Sequence, residues 1–518
     1  MGPAWMVASA VAAVLASWAF NALVRLVWRP YAVARRLRAQ GVRGPAYRFL
    51  AGNLAEMKRL RAEGARATLD VGDHDFVPMV QPHHRKWISL YGRTFLYWNG
   101  ATPNLCLADV NLVRQVLFDR TGLYPKNHIN QYVTRLLGRG LLLTDGDEWK
   151  RHRKVVHPAF NMDKLKTMTA TMSDCALSMI SEWEAKLAKG GDAEVVELSS
   201  QFEELTADVI SRTAFGSSYR EGRQVFLAQR ELQFLAFSTA FDVQIPALRY
   251  LPTRNNLRTR ELDRRVRGML MDIIKARLAV AGKDTAGGGY GHDLLGLMLE
   301  AAVEHGGEAP TLSMDEIVDE CKTFFFAGYD TTSHLLTWAC FLLSTHPEWQ
   351  GRLREEVRQE CGADEVPTGD ALNRLRLVNM FLLETLRLYG PVSLIQRKAG
   401  TDLDLGGVRV PEGAILTIPI ATIHRDTEVW GDDAGEFRPE RFQNGVTRAA
   451  KHPNALLAFS SGPRSCIGQN FAMIEAKAVV AIILQRFALE LSPTYVHAPM
   501  DVITLRPRHG LPMLLRSL

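Results

Sequence analysis

Residues 459–468 read Phe-Ser-Ser-Gly-Pro-Arg-Ser-Cys-Ile-Gly, and an apolar run typical of a helix follows from Phe471 to Phe487. Cys466 is therefore expected just before a helix N-terminus, where the helix dipole and free backbone N–H groups favour a thiolate over a thiol. Gly462 and Gly468 would allow a sharp turn and a close approach of the backbone to a flat ligand. A lone cysteine is more often a buried structural residue, but the five spaced residues together favour a metal-ligating thiolate.

A long helix is predicted in the middle of the chain. Residues Ser313–Glu316 form a capping box, and the apolar pattern continues until Pro347 bars it, giving a helix of roughly 30 residues. Asp330 and Thr331 lie halfway along it, where an unpaired buried acid is costly. We interpret them as a proton-relaying pair rather than a solvated or capping pair, and we expect Gly328 to loosen the helix beside them.

These segments and several others resemble the motifs of the cytochrome P450 superfamily. The pattern F-x-x-G-x-R-x-C-x-G at 459–468 is similar to its haem-binding signature. The further resemblances, in the family's order, are Trp149–Arg153, Ala327–Thr332, Glu384 with Arg387, Arg397, and Phe437–Phe442. The likeness covers the whole chain and is closest to plant microsomal members, in the clan that holds fatty-acid and plant-hormone hydroxylases.

The resemblance implies a haem b cofactor whose iron takes Cys466 as its axial ligand. It implies that four further side chains bind the cofactor, namely Arg464, Arg397, Trp149 and Arg153. It implies a catalytic role for Asp330 and Thr331, and a structural role for Glu384 with Arg387. By family position, the side chains expected to contact substrate are Phe324, Phe325 and Leu394.

The fold expected from the resemblance is mainly α, with a small β subdomain and one N-terminal transmembrane helix. The residues agree, since helical patterns dominate and one covers Ala371–Tyr389. Strand-like runs are recognised only near Leu403–Val410, near Ala414–Ile420 and near the C-terminus. No strand–helix alternation suggests a nicotinamide site. A glycine-rich stretch, Gly282–Gly291, is expected to be a mobile surface loop.

The N-terminal segment predicts a membrane anchor. Residues 2–24 carry no charge and are long enough to span a bilayer core. Eleven Arg or Lys and two Glu follow within residues 25–66, which by the positive-inside rule keeps the body cytosolic. The predicted division is a transmembrane anchor at 2–24, a basic hinge broken by Pro and Gly at 25–45, and a haem-binding catalytic domain at 46–518. A cleaved signal peptide and a buried core helix are the alternatives.

The predicted activity is insertion of one oxygen atom of O2 into a small lipophilic substrate. Subterminal hydroxylation of a fatty acid is the first hypothesis. Hydroxylation of a brassinosteroid, cytokinin, gibberellin or terpenoid is the alternative. A haem-thiolate isomerase or dehydratase is a third, and the pair Asp330-Thr331 argues against it because such enzymes need no proton relay.

The expected partners follow from what the chain lacks. It has no flavin or nicotinamide motif, so the resemblance implies NADPH-cytochrome P450 reductase as electron donor, on the endoplasmic reticulum membrane. Lys150, Arg151, His152 and Lys154 could form its docking patch or a solvated face. Nucleic acid is not expected to bind, because the basic residues adjoin an apolar segment and form no recognition motif. Six scattered cysteines without CxxC pairs indicate neither zinc nor a disulfide framework.

Overall fold

The computed structural model describes residues 3–127, 130–190, 194–242, 250–281, 290–291, 293–302 and 311–518. Most of the glycine-rich stretch predicted as a loop, 282–289, lies outside them. The described helices are α1 (Pro3–Leu23), α2 (Arg29–Arg38), α3 (Leu54–Gly64), α4 (Val77–Val80), α5 (Pro82–Tyr91), α6 (Val110–Leu117), α7 (Gln131–Leu137), α8 (Gly146–Val156), α9 (Met162–Gly190), α10 (Leu198–Phe215), α11 (Tyr219–Ser238), α12 (Arg254–Ala281), α13 (Leu294–Glu300), α14 (Met314–Thr345), α15 (Pro347–Cys361), α16 (Gly369–Arg374), α17 (Arg376–Tyr389), α18 (Ile420–Ile423), α19 (Thr427–Trp430) and α20 (Gln469–Arg486).

The strands form small sheets beside the helices. They are β1 (Thr94–Asn99), β2 (Thr102–Leu107), β3 (Glu194–Glu197), β4 (Ile395–Lys398), β5 (Leu403–Leu405), β6 (Val408–Val410), β7 (Ile415–Ile418), β8 (Phe487–Leu491), β9 (Pro499–Val502), β10 (Thr504–Pro507) and β11 (Pro512–Ser517). The largest sheet has the order β1-β2-β7-β4, in which β2 and β7 run parallel. The others are β3-β11-β8 and the antiparallel pairs β9-β10 and β5-β6. The mainly α fold with a small β portion is confirmed.

The long central helix forms as predicted. Ser313 and Glu316 make the reciprocal bonds of a capping box, and α14 then runs for 32 residues. Pro347 begins α15, which ends at Cys361 and is followed by Gly362 with a positive φ of 83°. From Ile317 to Leu343 nearly every side chain of α14 is buried, so this helix is the axis of the main hydrophobic core.

The helix predicted over Ala371–Tyr389 is two helices. The backbone of Leu375 is extended, with ψ of 90°, and separates α16 from α17. Glu356 of α15 explains the break, because its carboxylate accepts hydrogen bonds from the backbone N–H groups of residues 376, 377 and 378 at 2.7–2.9 Å. These are the N–H groups that a new helix leaves without intrahelical partners, so a carboxylate from elsewhere stabilises a start there.

The expectation that strands occur only late in the chain is wrong. β1 and β2 form a hairpin with Gly100 at φ 60°, and both strands are largely buried. The sequence Asn99-Gly100 at their junction is a strong hairpin signal that the prediction overlooked. β3 and β4 were also missed, because each has only four residues and gains its partners from distant parts of the chain.

The N-terminal helix does not break at Pro30 as expected. α1 passes through a π-helical turn, Val24–Trp28, directly into α2, so the segment from residue 25 is helical as far as Arg38. The carbonyl of Leu26, to which residue 30 would donate in an α-helix, instead accepts a hydrogen bond from the Tyr47 hydroxyl at 2.6 Å. Residues Met6–Arg38 form a helix long and apolar enough to cross a membrane, and the side chains of its apolar part lie outside the protein core.

Candidate active site

Cys466 lies between a short 3₁₀ turn, Gly462–Arg464, and the start of α20. All six cysteines are among the described residues, and Cys466 alone has an exposed side chain. The surrounding protein nevertheless desolvates it and raises the pKa of its thiol, while the backbone N–H of Gly468 and the charge of Arg153 lower that pKa. A side chain that is accessible yet desolvated faces an internal space rather than open solvent.

The two glycines of this segment have different roles. Gly462 has φ 75°, and a Cβ there would lie 2.2 Å from the carbonyl oxygen of Leu117. It is needed for the turn and for close packing against the end of α6, not for the approach of a ligand. At Gly468 a Cβ would meet Phe160 at 3.9 Å and the Cys466 sulfur at 4.0 Å, which are ordinary contacts.

Two arginines beside the cysteine lie against one aromatic ring. The guanidinium carbons of Arg464 and Arg153 are 4.8 and 5.6 Å from the centre of the Trp149 ring, within cation–π range. Arg153 also donates to the carbonyl of Ser465 at 3.2 Å. Trp149 is thus placed to orient two cations. Its position in a sequence motif does not reveal this role.

Four cations cluster around Asp145 and the segment before Cys466. Arg464 donates to the carbonyl of Thr144 at 2.7 Å and to the carboxylate of Asp145 at 3.3 Å. Arg397 is buried, and desolvation, followed by repulsion from Arg464, lowers its pKa to about 10. Desolvation, followed by repulsion from Arg397 and Arg464, holds the pKa of Lys126 well below its usual value. The fourth cation is Arg153.

This cluster fits a ligand that carries two carboxylates. Among the described residues, Asp145 is the carboxylate that forms a hydrogen bond and an ion pair with this cluster, through Arg464. The remaining positive charge is expensive to bury unless an anion balances it. Haem, with its two propionates, would meet that requirement, and the role of Cys466 as the thiolate ligand of its iron stays a prediction. Sequence reasoning missed Lys126, which belongs to no motif.

One face of α14 looks toward this space. In the fully described stretch from Glu320 to Leu343, the positions that are not buried are Ala327, Gly328 and Thr331. Ala327 and Thr331 are one turn apart and share this face, whereas Gly328 faces Ile210 of α10. Phe324 lies one turn earlier on the same face and stacks on Phe160, with ring centres 5.6 Å apart. Since Phe160 also borders Gly468, this face and the cysteine loop line the same region.

Thr331 lies on that face, but Asp330 does not. Thr331 is half-buried, and its hydroxyl donates to the carbonyl of Ala327 at 2.7 Å. The Asp330 side chain is 1% exposed and accepts hydrogen bonds from Thr504 at 2.6 Å, Arg506 at 2.9 Å and Gln233 at 3.2 Å. Its carboxylate is held by the C-terminal hairpin and α11, so the relay role of Asp330 stays a prediction.

Gly328 also differs from its expected role. A Cβ at this position would lie 2.6 Å from Cγ1 of Ile210, so the missing side chain allows α10 to pack tightly on α14. The helix remains regular through Gly328 instead of loosening.

The three expected substrate contacts separate into two groups. Phe325 is fully buried and stacks on Phe215 with ring centres 4.1 Å apart, so it belongs to the core between α14 and its neighbours and not to a substrate surface. Phe324 lies one turn before Ala327 on the same side of α14, but it is also buried in the main core cluster, where it stacks on Phe160. Leu394 is half-exposed and packs in none of the hydrophobic core clusters of the described residues, which is compatible with a contact to ligand.

Only part of the basic run after Trp149 is exposed on the surface. Arg151 pairs with Glu316 at 2.5 Å, and His152 is buried with its Nδ1 2.5 Å from Glu320. The exposed cations of this run are Lys150 and Lys154. A docking patch on this helix would therefore use those two lysines.

The structural ion pair forms as predicted. Arg387 makes a two-pronged contact with Glu384, each bond 2.7 Å, and Arg441 adds a third bond at 3.0 Å. Arg387 also donates to the carbonyls of Ala434 and Glu436, which fixes the loop that leads toward the cysteine segment. All three charged side chains are buried or nearly so.

Comparison with known proteins agrees with this arrangement. A family model described as Cytochrome P450 matches residues 77–510. Cytochrome P450 709B1 of Arabidopsis thaliana is 44% identical over 504 residues, which cover 96% of this chain and 96% of that protein. The chain belongs to the cytochrome P450 family. Cytochrome P450 709B3 of the same plant is 45% identical over 495 residues, covering 95% and 94%, and cytochrome P450 734A1 is 41% identical over 501 residues, covering 95% and 93%.

Membership in the cytochrome P450 family makes the protein a haem-binding monooxygenase. It also implies a redox partner and a lipophilic substrate, and the N-terminal apolar helix is compatible with the anchor of a plant microsomal P450.

Proposed function

We propose that this protein is a membrane-anchored haem-thiolate monooxygenase that hydroxylates a fatty acid at a subterminal carbon. The observation that carries the proposal is the pairing of Cys466 and its cation cluster with the open face of α14 at Ala327 and Thr331. Phe324, one turn before that face, and the half-exposed Leu394 are both apolar, which favours a lipophilic substrate over a polar one. The choice of a fatty acid rests on the resemblance to plant fatty-acid hydroxylases.

In this proposal each group of residues has a separate task. Cys466 ligates the iron of haem b, while Arg464, Arg397 and Arg153 bind propionates and Trp149 orients two of these arginines. When bound, the haem supplies the dioxygen chemistry, in which a thiolate ligand favours O–O cleavage. The Thr331 hydroxyl holds a proton at the open face, and the acid Asp330 is its predicted source. Phe324 and Leu394 exclude water and position the substrate.

The anchor and the electron donor complete the proposal. We assign residues 2–24 to a single transmembrane anchor in the endoplasmic reticulum, residues 25–45 to a basic connection, and residues 46–518 to a cytosolic catalytic domain. NADPH-cytochrome P450 reductase, on the same membrane face, supplies two electrons per turnover. Lys150 and Lys154 are exposed on α8 and would meet an acidic surface of that partner.

The thiolate assignment is tested by the reduced carbon monoxide difference spectrum. The wild type and a Cys361→Ala control are expected to give the band of a thiolate-ligated haem. Cys466→Ala is expected to lose that band and all turnover. A retained thiolate band in Cys466→Ala would overturn the assignment.

The substrate is tested by the protein expressed with a reductase. Saturated fatty acids of different chain length, a brassinosteroid, a cytokinin and a gibberellin are each added, and the haem spin-state shift and the products are measured. A shift and a subterminal alcohol with a fatty acid support the proposal. Turnover confined to one of the hormones would replace the fatty acid by that hormone class.

A further inference from the structure

A half-buried arginine lies between α3 and the end of α11. The guanidinium carbon of Arg61 is 4.7 Å from the centre of the Phe241 ring and 5.1 Å from that of Phe237. Among the described residues its side chain forms no ion pair, and its hydrogen bond to the backbone carbonyl of Asp501 is long, at 3.4 Å. Desolvation lowers the pKa of Arg61, and the charge of Asp501 raises it in part. A desolvated cation held by aromatic rings without an ion pair is well suited to bind an anion.

Two buried imidazoles lie beside this guanidinium. The ring centre of His83 is 6.3 Å from that of Phe241 and 4.3 Å from that of His84. Nδ1 of His83 and Nε2 of His84 have no hydrogen-bond partner in the described part of the chain. Desolvation, followed by repulsion from Arg61, lowers the pKa of His84 to about 3, so its ring is neutral. A neutral imidazole can carry its proton on either nitrogen, so Nδ1 of His83 can donate to an anion beside Arg61.

Helix α11 connects this region with the centre of α14. Gln233 and Phe237 are one turn, about 6 Å, apart on one face of α11, and Phe241 follows in the turn after the helix ends. Gln233 donates to the carboxylate of Asp330 on α14 at 3.2 Å. Phe237 and Phe241 reach Arg61. The same face thus runs from the middle of the long helix to the guanidinium.

The loop that carries Leu394 leads to the same place. The Ser393 hydroxyl donates to the carboxylate of Asp501, and the carbonyl of Asp501 accepts from Arg61 at 3.4 Å. Ser393 immediately precedes Leu394, the proposed substrate contact. A row of contacts therefore leads from Leu394 to Arg61, so a ligand at Leu394 has a cation within a few residues of one end.

We propose that Arg61 binds the carboxylate of the fatty-acid substrate, while the alkyl chain extends along α11 and past Leu394 toward the haem site. The carboxylate supplies the anion that the guanidinium lacks, and a hydrogen bond between two charged groups is stronger than one between neutral groups. With the head group fixed at Arg61, the length of the chain decides which carbon is hydroxylated. This inference rests on the proposed fatty-acid substrate and names the residue that selects its acidic end.

The experiment compares one saturated fatty acid with its methyl ester, by spin-state titration of the full-length holoprotein. The two ligands have the same alkyl chain and differ in the charge of the head group. Arg61→Met removes the cation and keeps an apolar side chain between the two phenylalanines. Arg59→Met is the matched control, because Arg59 lies on the same helix, is 63% exposed and pairs with Glu63. The reduced carbon monoxide spectrum of each variant shows whether its haem site is intact.

The wild type and Arg59→Met are expected to bind the acid more tightly than the ester. In Arg61→Met the dissociation constant of the acid should rise about tenfold or more, with that of the ester unchanged, as expected for the loss of one charge-assisted bond. Its product alcohols should also spread over more carbon positions. Equal weakening of acid and ester would mean that Arg61 only supports the packing of the aromatic rings, and unchanged binding of the acid would exclude the contact.

A charge-conserving variant and the wild type complete the test. Arg61→Lys keeps the positive charge and should still prefer the acid, which loss of packing alone would not produce. If the wild type binds the ester as tightly as the acid, the carboxylate contact is wrong while the lipophilic substrate stands. If neither ligand shifts the spin state of the wild type, the fatty-acid proposal and the role of Arg61 fail together.

Discussion

Arg506 of β10 and Asp330 of α14 form a buried ion pair at 2.9 Å. Their side chains are 8% and 1% exposed. Glu203 of α10 lies 3.7 Å from the same guanidinium, and Thr504 donates to Asp330 at 2.6 Å. Burial raises the pKa of Glu203, while Arg230 and Arg506 lower it. The acid that the motif places beside Thr331 is thus neutralised by the C-terminal hairpin, and this pair ties that hairpin to the centre of the long helix.

The first prediction concerns this pair. Arg506→Met removes the charge and leaves Asp330 buried without its cation, which costs about 3–5 kcal/mol of unfolding free energy. The double variant Arg506→Met with Asp330→Asn should recover part of that loss, because no uncompensated charge remains. Denaturant unfolding of the holoproteins measures both. Arg508→Met is the control, because this half-buried arginine of the same segment donates to the carbonyl of Ala65 and pairs with no buried acid in the described residues. An equal loss there would contradict a specific role for the pair.

The second prediction concerns Thr331, whose hydroxyl is half-buried on the open face of α14. Thr331→Ala should still consume NADPH but release peroxide or water, with product per NADPH falling about tenfold or more, since a positioned proton donor contributes about 10²–10⁴-fold. Thr331→Ser keeps a hydroxyl and should retain coupling near the wild-type value. Product, peroxide and NADPH are measured together. Normal coupling in Thr331→Ala would remove the proton-holding role.

How much the sequence could predict depended on how local each feature is. The capping box of α14, the start of α15 at Pro347 and the Glu384–Arg387 pair are set by residues close in sequence, and all formed as predicted. Glu356, which splits the helix predicted at 371–389, acts from another helix, so no local pattern could reveal it.

The candidate site shows the same division. The motif located Cys466, but the convergence of Lys126 with Arg397 and Arg464 depends on three distant segments meeting in the fold. Phe324 and Phe325 are adjacent and chemically identical in sequence, yet one stacks on Phe160 beside the cysteine loop and the other on Phe215 of α10. On a helix that is buried on nearly all sides, packing decides which of two neighbouring residues lines a cavity. The sequence alone does not show that packing.

The third prediction follows from the cation cluster. Lys126→Met removes one charge beside Arg397 and Arg464 and should weaken the hold on haem propionates. A hydrogen bond to a charged group contributes about 1.5–3 kcal/mol, so haem should be lost to an excess of apomyoglobin roughly tenfold faster. Lys150→Met is the matched control, since that lysine is 70% exposed and pairs with Asp147 on the surface. Equal rates of haem loss in the two variants would show that Lys126 does not hold the cofactor.

The last prediction concerns pH and the bridge between α8 and α14. His152 is buried, with Nδ1 2.5 Å from Glu320 and Nε2 3.4 Å from Glu316. Both ring nitrogens face carboxylate oxygens, and only a protonated imidazole can donate through both. Burial by itself lowers the pKa of His152, and Arg151 lowers it slightly, but the bonds to Glu320 and Glu316 outweigh them, so the pKa is raised above its usual value.

A raised pKa in the folded state means that this bridge stabilises the protein fully below the unfolded-state pKa of about 6.5, and that the stabilisation is lost as pH rises through the folded-state pKa. The thermal midpoint of the wild type should therefore exceed that of His152→Gln by most at pH 6 and by less at pH 9. His157→Gln, at an exposed position following α8, should show no such trend. If the difference in thermal midpoint between wild type and His152→Gln instead grows as pH rises, His152 is neutral in the folded protein and other groups hold Glu320.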